Sequence, residues 1–246
     1  MRTVTVVMCG LAIVCAVLPG CTFSAHVNST PSVSKDALQQ DISDRLSKAG
    51  EQPESVTCQE DLVGEVGKTT RCEVVMGPTN SFEPVVRVTG IDGNTIHYEM
   101  TPALSKGQLQ EAVAPLVSDA EGVQVGPVSC ESGLEGKVGA VAYCDVNAGE
   151  VQLRRMVEVT NVKELMMNFD VLPVLTQAQV ESTLLDELES QVGQRPESAD
   201  CSGDLEGKPG KTVDCTIVAG PETTVLTLTV NTVEGSTINF HYEPRS

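Results

Sequence analysis

Paired cysteines and glycines recur in three copies of one short stretch, and these are the residue types that could do chemistry. The copies run over Cys58–Cys72, Cys130–Cys144 and Cys201–Cys215. All three fit the pattern C-x3-L-x-G-x-[VP]-G-x4-C. Thiols can form disulfides, bind metals or act as nucleophiles, so the pattern has to be weighed against each of these chemistries.

Disulfide formation is the chemistry that the six cysteines favour. The two cysteines of each copy are separated by the same 14 positions. Six cysteines can pair in many ways, but identical spacing favours pairing within each copy. A bridge that closes so short a loop should stabilise the fold by about 3 kcal/mol. Such bridges require an oxidising compartment.

The glycines of two copies resemble a phosphate-binding loop, because Gly64–Thr69 and Gly207–Thr212 both read G-x-x-G-K-T. A Walker loop needs four residues between its glycines and a helix after them. Here two residues separate the glycines, a strand-like segment follows, and the second copy has Ala140 after Gly139. The glycines therefore indicate a tight hairpin turn.

No other set of residues predicts catalysis or metal binding. Nucleophilic catalysis needs a free thiol or hydroxyl beside a base, and disulfides would consume the cysteines of the repeats. His97 and His241 fall at non-equivalent outward positions, and the second copy has neither. The sequence lacks His-x3-His and Cys-x2-Cys spacings, which are typical of zinc sites. We expect no catalytic residue, no cofactor and no metal.

The first 20 residues have the features of a lipoprotein leader. One charge at Arg2 precedes an apolar run, which ends in a lipobox-like sequence over Leu18–Cys21. The run is too short to be interpreted as a membrane span. We expect residues 1–20 to be a signal peptide and residues 21–32 to be a tether that begins with lipid-modified Cys21. Its acyl chains would hold the protein on the extracytoplasmic face of the cell membrane.

The remaining chain consists of three repeats of about 71 residues. Their expected bounds are 33–104, 105–175 and 176–246. Each repeat opens with a helix that has Ser or Thr at its N-cap and an apolar residue at every fourth position. The caps are Ser34, Ser105 and Thr176. Pro115 lies inside the second helix and is expected to kink or shorten it.

Four segments of alternating apolar residues follow each helix and predict strands. The cysteines fall on the same face as the apolar residues of their own strands. The fourth strand of each repeat is followed by Pro102, Pro173 or Pro244, which is expected to close the repeat. The predicted fold class is α+β, with three tandem repeats. Each is one helix packed on a four-stranded antiparallel sheet with an intra-repeat disulfide.

These features together resemble a known family. The lipobox, the capped helix and the cysteine hairpin followed by a V-x-V strand are similar to an actinobacterial domain of unknown function, DUF4333, which is found in mycobacterial-type lipoproteins and membrane proteins. The resemblance covers about residues 33–246, once per repeat. It implies no catalytic residue, because the family has no established activity. More distantly, the tandem units resemble beta-lactamase inhibitor proteins in shape alone.

The charge of the chain narrows the range of partners. With 34 acidic and 16 basic residues, the net charge is −18. This acidity argues against binding to nucleic acid and against electrostatic binding to an anionic membrane surface. Attachment to the membrane is therefore expected through the lipid on Cys21, and the expected macromolecular partner is another protein of the envelope.

The second repeat departs from the other two on its outward face. Met156, Met166 and Leu172 fall on the face that the other repeats make polar, beside Arg154 and Arg155. Two interpretations remain open at this point. The three apolar side chains form either a contact between neighbouring repeats or an interaction patch for a partner.

The leading functional hypothesis is a non-catalytic, lipid-anchored envelope protein whose repeats bind another envelope protein. A second hypothesis is an inhibitor or regulator of a secreted enzyme. The contrasting hypotheses are an enzyme that acts on cell-wall material and a carrier of lipid or glycan.

Overall fold

The computed structural model describes residues 30–78 and 80–245. Within them, three successive units each pack one α-helix against antiparallel strands, which confirms the predicted α+β class and the tandem repeats. The predicted signal peptide, the predicted lipid site Cys21 and most of the tether lie outside the described residues.

The helices and strands follow one order in the three repeats, except that the first repeat has one additional short strand and the third has no separate strand before its helix. The first repeat contains β1 Ser32–Val33, α1 Lys35–Lys48, β2 Ser55–Cys58, β3 Leu62–Val63, β4 Thr69–Gly77, β5 Asn80–Phe82, β6 Val85–Asp92 and β7 Thr95–Thr101. The second contains β8 Ala103–Leu104, α2 Lys106–Glu121, β9 Val128–Cys130, β10 Leu134–Glu135, β11 Val141–Ala148, β12 Val151–Lys163 and β13 Met166–Leu175. The third contains α3 Gln177–Val192, β14 Ser198–Cys201, β15 Leu205–Glu206, β16 Thr212–Ala219, β17 Glu222–Glu234 and β18 Thr237–Pro244.

Each helix begins at its predicted cap. The Ser34 hydroxyl accepts one backbone N–H, whereas Ser105 and Thr176 form complete capping boxes with Gln108 and Gln179. One apolar stripe per helix faces the sheet, and its buried members are Leu38, Ile42, Leu46, Leu109, Val113, Val117, Val180 and Leu184. The 3.6-residue periodicity therefore places one side of each helix in the core.

Pro115 does not shorten the second helix, so that part of the prediction is wrong. Helix α2 spans 16 residues, as α3 does, and α1 spans 14. A proline in a helix interior costs about 3 kcal/mol. Val113 and Val117 on either side of it are buried, and this packing keeps the segment helical.

Four strands of each repeat form the predicted antiparallel meander. The strand orders are β2-β4-β6-β7, β9-β11-β12-β13 and β14-β16-β17-β18. The third strand of every meander shifts register at one point, directly after Val88, Val159 or Val230. This shared bulge was not predicted, because one extra residue does not disturb the alternation enough to be recognised.

Disulfides join the first two strands of each meander, in the pairs Cys58–Cys72, Cys130–Cys144 and Cys201–Cys215. In every pair the two cysteines face each other directly across the strands and are buried. The predicted local pairing is confirmed. Behind the disulfides, the first and second repeats share one continuous apolar core, and the third repeat has a core of its own.

Each cysteine motif contains a short strand that the sequence did not predict, and in the second and third repeats this strand joins the repeat to the one before it. Strands β3, β10 and β15 pair with the two residues before each helix cap. For β15 those two residues are Val174 and Leu175 at the end of β13, so the last strand of the second repeat enters the third. The expected boundaries after residues 104 and 175 fall directly after these paired residues, so they separate the pairs from the motifs that they contact.

The prolines correct a related prediction. Pro173 lies inside β13, opposite Arg155, and after Pro102 the chain continues into β8. Pro173 therefore does not close its repeat, whereas Pro102 directly follows β7 and Pro244 is the last residue of β18.

The first glycine of each motif allows the shared segment to approach. Backbone N–H groups donate to proline carbonyl oxygens in the pairs Gly64–Pro31, Gly136–Pro102 and Gly207–Pro173, at 2.7–2.8 Å. A Cβ atom at these glycines would lie 2.3–2.6 Å from the same oxygens, which is closer than packed atoms approach. The second glycine has a φ of +82° to +89° in all three motifs, where glycine is favoured.

Replacing Gly136 by Ala should lower the free energy of unfolding by about 1–3 kcal/mol, because the new methyl group would overlap the Pro102 carbonyl. Chemical denaturation of the full chain measures the change. The matched control is Gly107→Ala in the exposed first turn of α2, where nothing lies within 4 Å of the added Cβ. That variant should be neutral or slightly more stable, because alanine favours helix. Equal losses in both variants would contradict the close approach at Gly136.

Candidate interaction surface

The cysteine motif of the third repeat covers the outward face of the second repeat's sheet. Three side chains of the motif contact three side chains of that face, in the pairs Arg154–Asp204 at 3.0 Å, Glu158–Lys208 at 2.7 Å and Tyr143–Glu206. Glu206 also belongs to β15, which pairs with β13 at the edge of the same sheet. Strand pairing and side-chain contacts therefore both attach the third repeat to the second.

Arg154 lies at the centre of this junction. It pairs with Glu131 at 2.6 Å and Asp145 at 3.3 Å in its own repeat, as well as with Asp204 in the next. Its guanidinium lies 5.1 Å from the centre of the Tyr143 ring. An isolated exposed ion pair contributes little to stability. A half-buried arginine with three carboxylate partners and an aromatic ring holds its neighbours more firmly.

The hydroxyl of Tyr143 donates to Glu206 across the junction. This hydrogen bond, together with burial, raises the pKa of Tyr143 to about 12. Burial opposes ionisation of Glu206, but hydrogen bonds from Lys211 and Tyr143 hold the pKa of that carboxyl below its ordinary value. The contact therefore joins a neutral phenol to an ionised carboxylate at neutral pH.

A second contact joins the last hairpin turn of the third repeat to the second repeat. Ser236 in that turn hydrogen bonds to Arg155 at 2.7 Å and to Glu121 at the end of α2. Arg155 is buried and pairs with Glu121 at 2.6 Å. The sequence analysis missed Glu121 and Ser236. The available signal was a charged residue, Arg155, at an inward position of β12, where the third repeat has Leu226.

The three residues of the predicted patch do not form one surface. Met156 is 1% exposed and stands on β12 between Arg154 and Glu158, which both contact the third repeat. Leu172 is partly buried directly opposite Met156. Met166 lies at the far end of β13 and is 36% exposed. Met156 and Leu172 therefore fit the alternative of a contact between repeats, and Met166 remains accessible.

Met166 lines a cavity of about 210 Å³ between the first and second repeats. Its walls are Asn80–Phe82, Pro102 and Leu104 before α2, three residues of α2, and the end of the β12–β13 hairpin. The residues that line it are Asn80, Ser81, Phe82, Pro102, Leu104, Gln108, Glu111, Ala112, Leu165, Met166, Met167 and Phe169. The lining is apolar on the side of the phenylalanines and polar around Gln108 and Glu111.

The other residues considered for chemistry lie apart from this cavity. His97 and His241 are exposed, as predicted, and the His241 ring forms a hydrogen bond with Asn231 at 2.6 Å. In residues 30–78 and 80–245, no group of three or more His, Cys, Asp or Glu side chains could hold a metal ion. No helix in the described part of the chain is long and apolar enough to cross a membrane.

Comparison with protein-family models gives three consecutive matches to a domain of unknown function (DUF4333), over residues 16–93, 97–164 and 165–235. The chain belongs to this family. The first two matches end in or beside the turn that precedes β7 or β13, and the next match begins within or just before that strand. The third match therefore includes β13, the strand that pairs with β15 of the third repeat. Searches of curated proteins and of solved structures returned no match.

Tyr143→Phe should weaken the junction in a pH-dependent way. At pH 7 the lost hydrogen bond should lower the free energy of unfolding by about 1 kcal/mol. The folded-state pKa of Tyr143, about 12, lies above the ordinary value near 10. The stabilisation is therefore complete below pH 10 and is lost as the pH rises through 12. Urea denaturation at several pH values should show the difference between variant and wild type shrinking over this range. A difference that is the same at every pH would contradict the assignment.

Proposed function

We propose that this DUF4333 chain is a non-catalytic, lipid-anchored protein on the extracytoplasmic face of an actinobacterial cell membrane, and that its repeats bind another envelope protein. The observation that carries the proposal is that three repeats, each with an internal disulfide, are joined in one array. Shared strand pairing and side-chain contacts hold its outward surfaces in fixed positions. A surface that is already ordered loses little conformational entropy when a partner binds.

The proposed location rests on the disulfides and on the leader. Three buried disulfides, one in each repeat, are typical of proteins that fold in an oxidising compartment. The apolar leader and the lipobox-like Leu18–Cys21 agree with export and lipid modification. A lipobox-like leader followed by DUF4333 repeats resembles the arrangement of actinobacterial lipoproteins. This resemblance supports the proposal that the chain comes from an actinobacterium. Acyl chains on Cys21 would keep all three repeats outside the membrane.

The proposal that the partner is a protein rests on exposed apolar side chains and on the charge of the chain. Large apolar side chains remain exposed in each repeat, with Val66 at 69%, Val138 at 61% and Val192 at 70% exposure. Isolated exposed apolar side chains are common on protein surfaces, and these three give every repeat an accessible point of contact. The net charge of −18 favours a partner with a basic surface, because complementary charge speeds association and selects among partners.

Photo-cross-linking in intact envelopes tests the proposed binding. A photoreactive phenylalanine analogue is placed in turn at Val66, Val138 and Val192, one position in each repeat. We expect at least one position to give an adduct of discrete mass with one envelope protein, identified by mass spectrometry. The same variants irradiated after purification should give no such adduct. No adduct at any position, or turnover of cell-wall material by the purified protein, would contradict the proposal.

The anchor is checked in the same cells by feeding them an alkyne-bearing palmitate. Wild type and Cys15→Ala should carry the label, because Cys15 leaves with the leader, and Cys21→Ala should lose it. Retention of the label by Cys21→Ala would contradict lipid attachment at that residue.

A further inference from the structure

The two junctions between repeats use the same elements but different chemistry. In each, a hairpin turn of one repeat contacts the repeat before it, and Leu165 and Ser236 occupy equivalent places 71 residues apart. Ser236 hydrogen bonds to Arg155 and Glu121. Leu165 is buried in the apolar core that the first two repeats share. The first junction is therefore apolar, and beside it lies the cavity of about 210 Å³.

The cavity suits one apolar group. Phe82 and Phe169 line it, although the whole chain has only four phenylalanines. Apolar cavities of about 150 Å³ bind a benzene molecule, whereas pockets for a whole drug-sized ligand measure about 300–1,000 Å³. The cavity thus has room for one aromatic ring or one branched aliphatic side chain. Met166 and Met167 add flexible thioethers, which adapt to different shapes.

The polar part of the lining is ordered and acidic. The Gln108 side-chain amide donates to the Ser81 hydroxyl at 3.0 Å, and its oxygen accepts the Ser105 backbone N–H at 2.9 Å. Both ends of this amide are thus occupied. Glu111, one turn further along α2, is exposed beside the cavity. A carboxylate here, on a chain of net charge −18, disfavours fatty acids and anionic lipids and favours a cation next to the apolar group.

We propose that this cavity receives a single aromatic or large aliphatic side chain of the protein partner, flanked by a Lys or Arg that pairs with Glu111. The inference rests on the proposed function and gives it a location. The side chain fills the space between Phe82, Leu165 and Phe169, and the neighbouring cation lies over the acidic end of the cavity.

A short peptide tests the inference by NMR. The probe is acetyl-Arg-Phe-Arg-amide, and the full chain, held in lipid nanodiscs, carries ¹³C-methyl methionine. We expect saturable shifts of the Met166 and Met167 methyl signals and no shift of Met156, which is buried at the other junction. Acetyl-Arg-Ala-Arg-amide should bind at least about tenfold more weakly, because the methyl group of alanine fills little of the cavity.

Variants of helix α2 separate cavity binding from general attraction. Ala112→Leu fills the cavity from its α2 side and should abolish the shifts. The matched control Ala120→Leu, at an exposed position of the same helix, should leave them unchanged. Glu111→Lys should weaken binding of the arginine peptide and strengthen binding of acetyl-Glu-Phe-Glu-amide. This second variant keeps the test decisive if Ala112→Leu disturbs the fold.

Several results would overturn the inference. They are equal binding of the phenylalanine and alanine peptides, shifts confined to methionines outside the cavity, and tighter binding of decanoate than of the arginine peptide, which would indicate an acyl carrier. Cross-linking of an envelope protein to the Ala112→Leu variant as efficiently as to wild type would also overturn it. That last result would leave the proposed function standing and place the partner elsewhere.

Discussion

The arrangement of the whole chain depends on one hydrogen bond that occurs in every repeat, from the N–H of a motif glycine to the carbonyl of a proline three residues before a helix cap. At Gly136 and Gly207 that proline follows or belongs to the last long strand of the preceding repeat. The bond therefore sets where a helix begins and how two repeats meet. Only glycine leaves room for it, and the disulfide at the ends of the motif holds the hairpin that presents it.

This constraint separates what the repeats share from what they can vary. The cysteines, both glycines and the leucine of the motif maintain a small unit that has little aromatic core, and they leave no free group for chemistry. The residues on the outward face and in the hairpin turn of each repeat take no part in this glycine–proline contact, so their types can differ between repeats. At the second junction, Arg154 on the outward face pairs with Asp204, and Ser236 in the hairpin turn hydrogen bonds to Glu121. At the first junction these positions leave an apolar cavity, so the differences between copies are where specific contacts can arise.

Much of the fold could be predicted because its signals are local. Helix caps, apolar stripes and strand alternation are encoded within a few residues, and identical cysteine spacing indicated the disulfides. The pairing of β15 with β13 was not predictable, since two residues are too few for a period to be recognised. The length of α2 depended on burial that outweighs Pro115. Of the site, the sequence singled out Met156 and Met166, but their different surroundings depend on contacts between repeats. The cavity could not be predicted, because its walls come from segments far apart in the sequence. Phe82 and Phe169, for example, are more than 80 residues apart.

Hydrogen exchange in the native state tests the central claim most directly, because it reports on the glycine amides themselves. We predict that the amides of Gly136 and Gly207 exchange as slowly as the amide of Val159, which donates to Ala140 within the meander. Slow exchange would mean that the bond opens only when the fold around it opens. Rapid exchange at both glycines, with Val159 still protected, would contradict the claim that this bond joins the repeats.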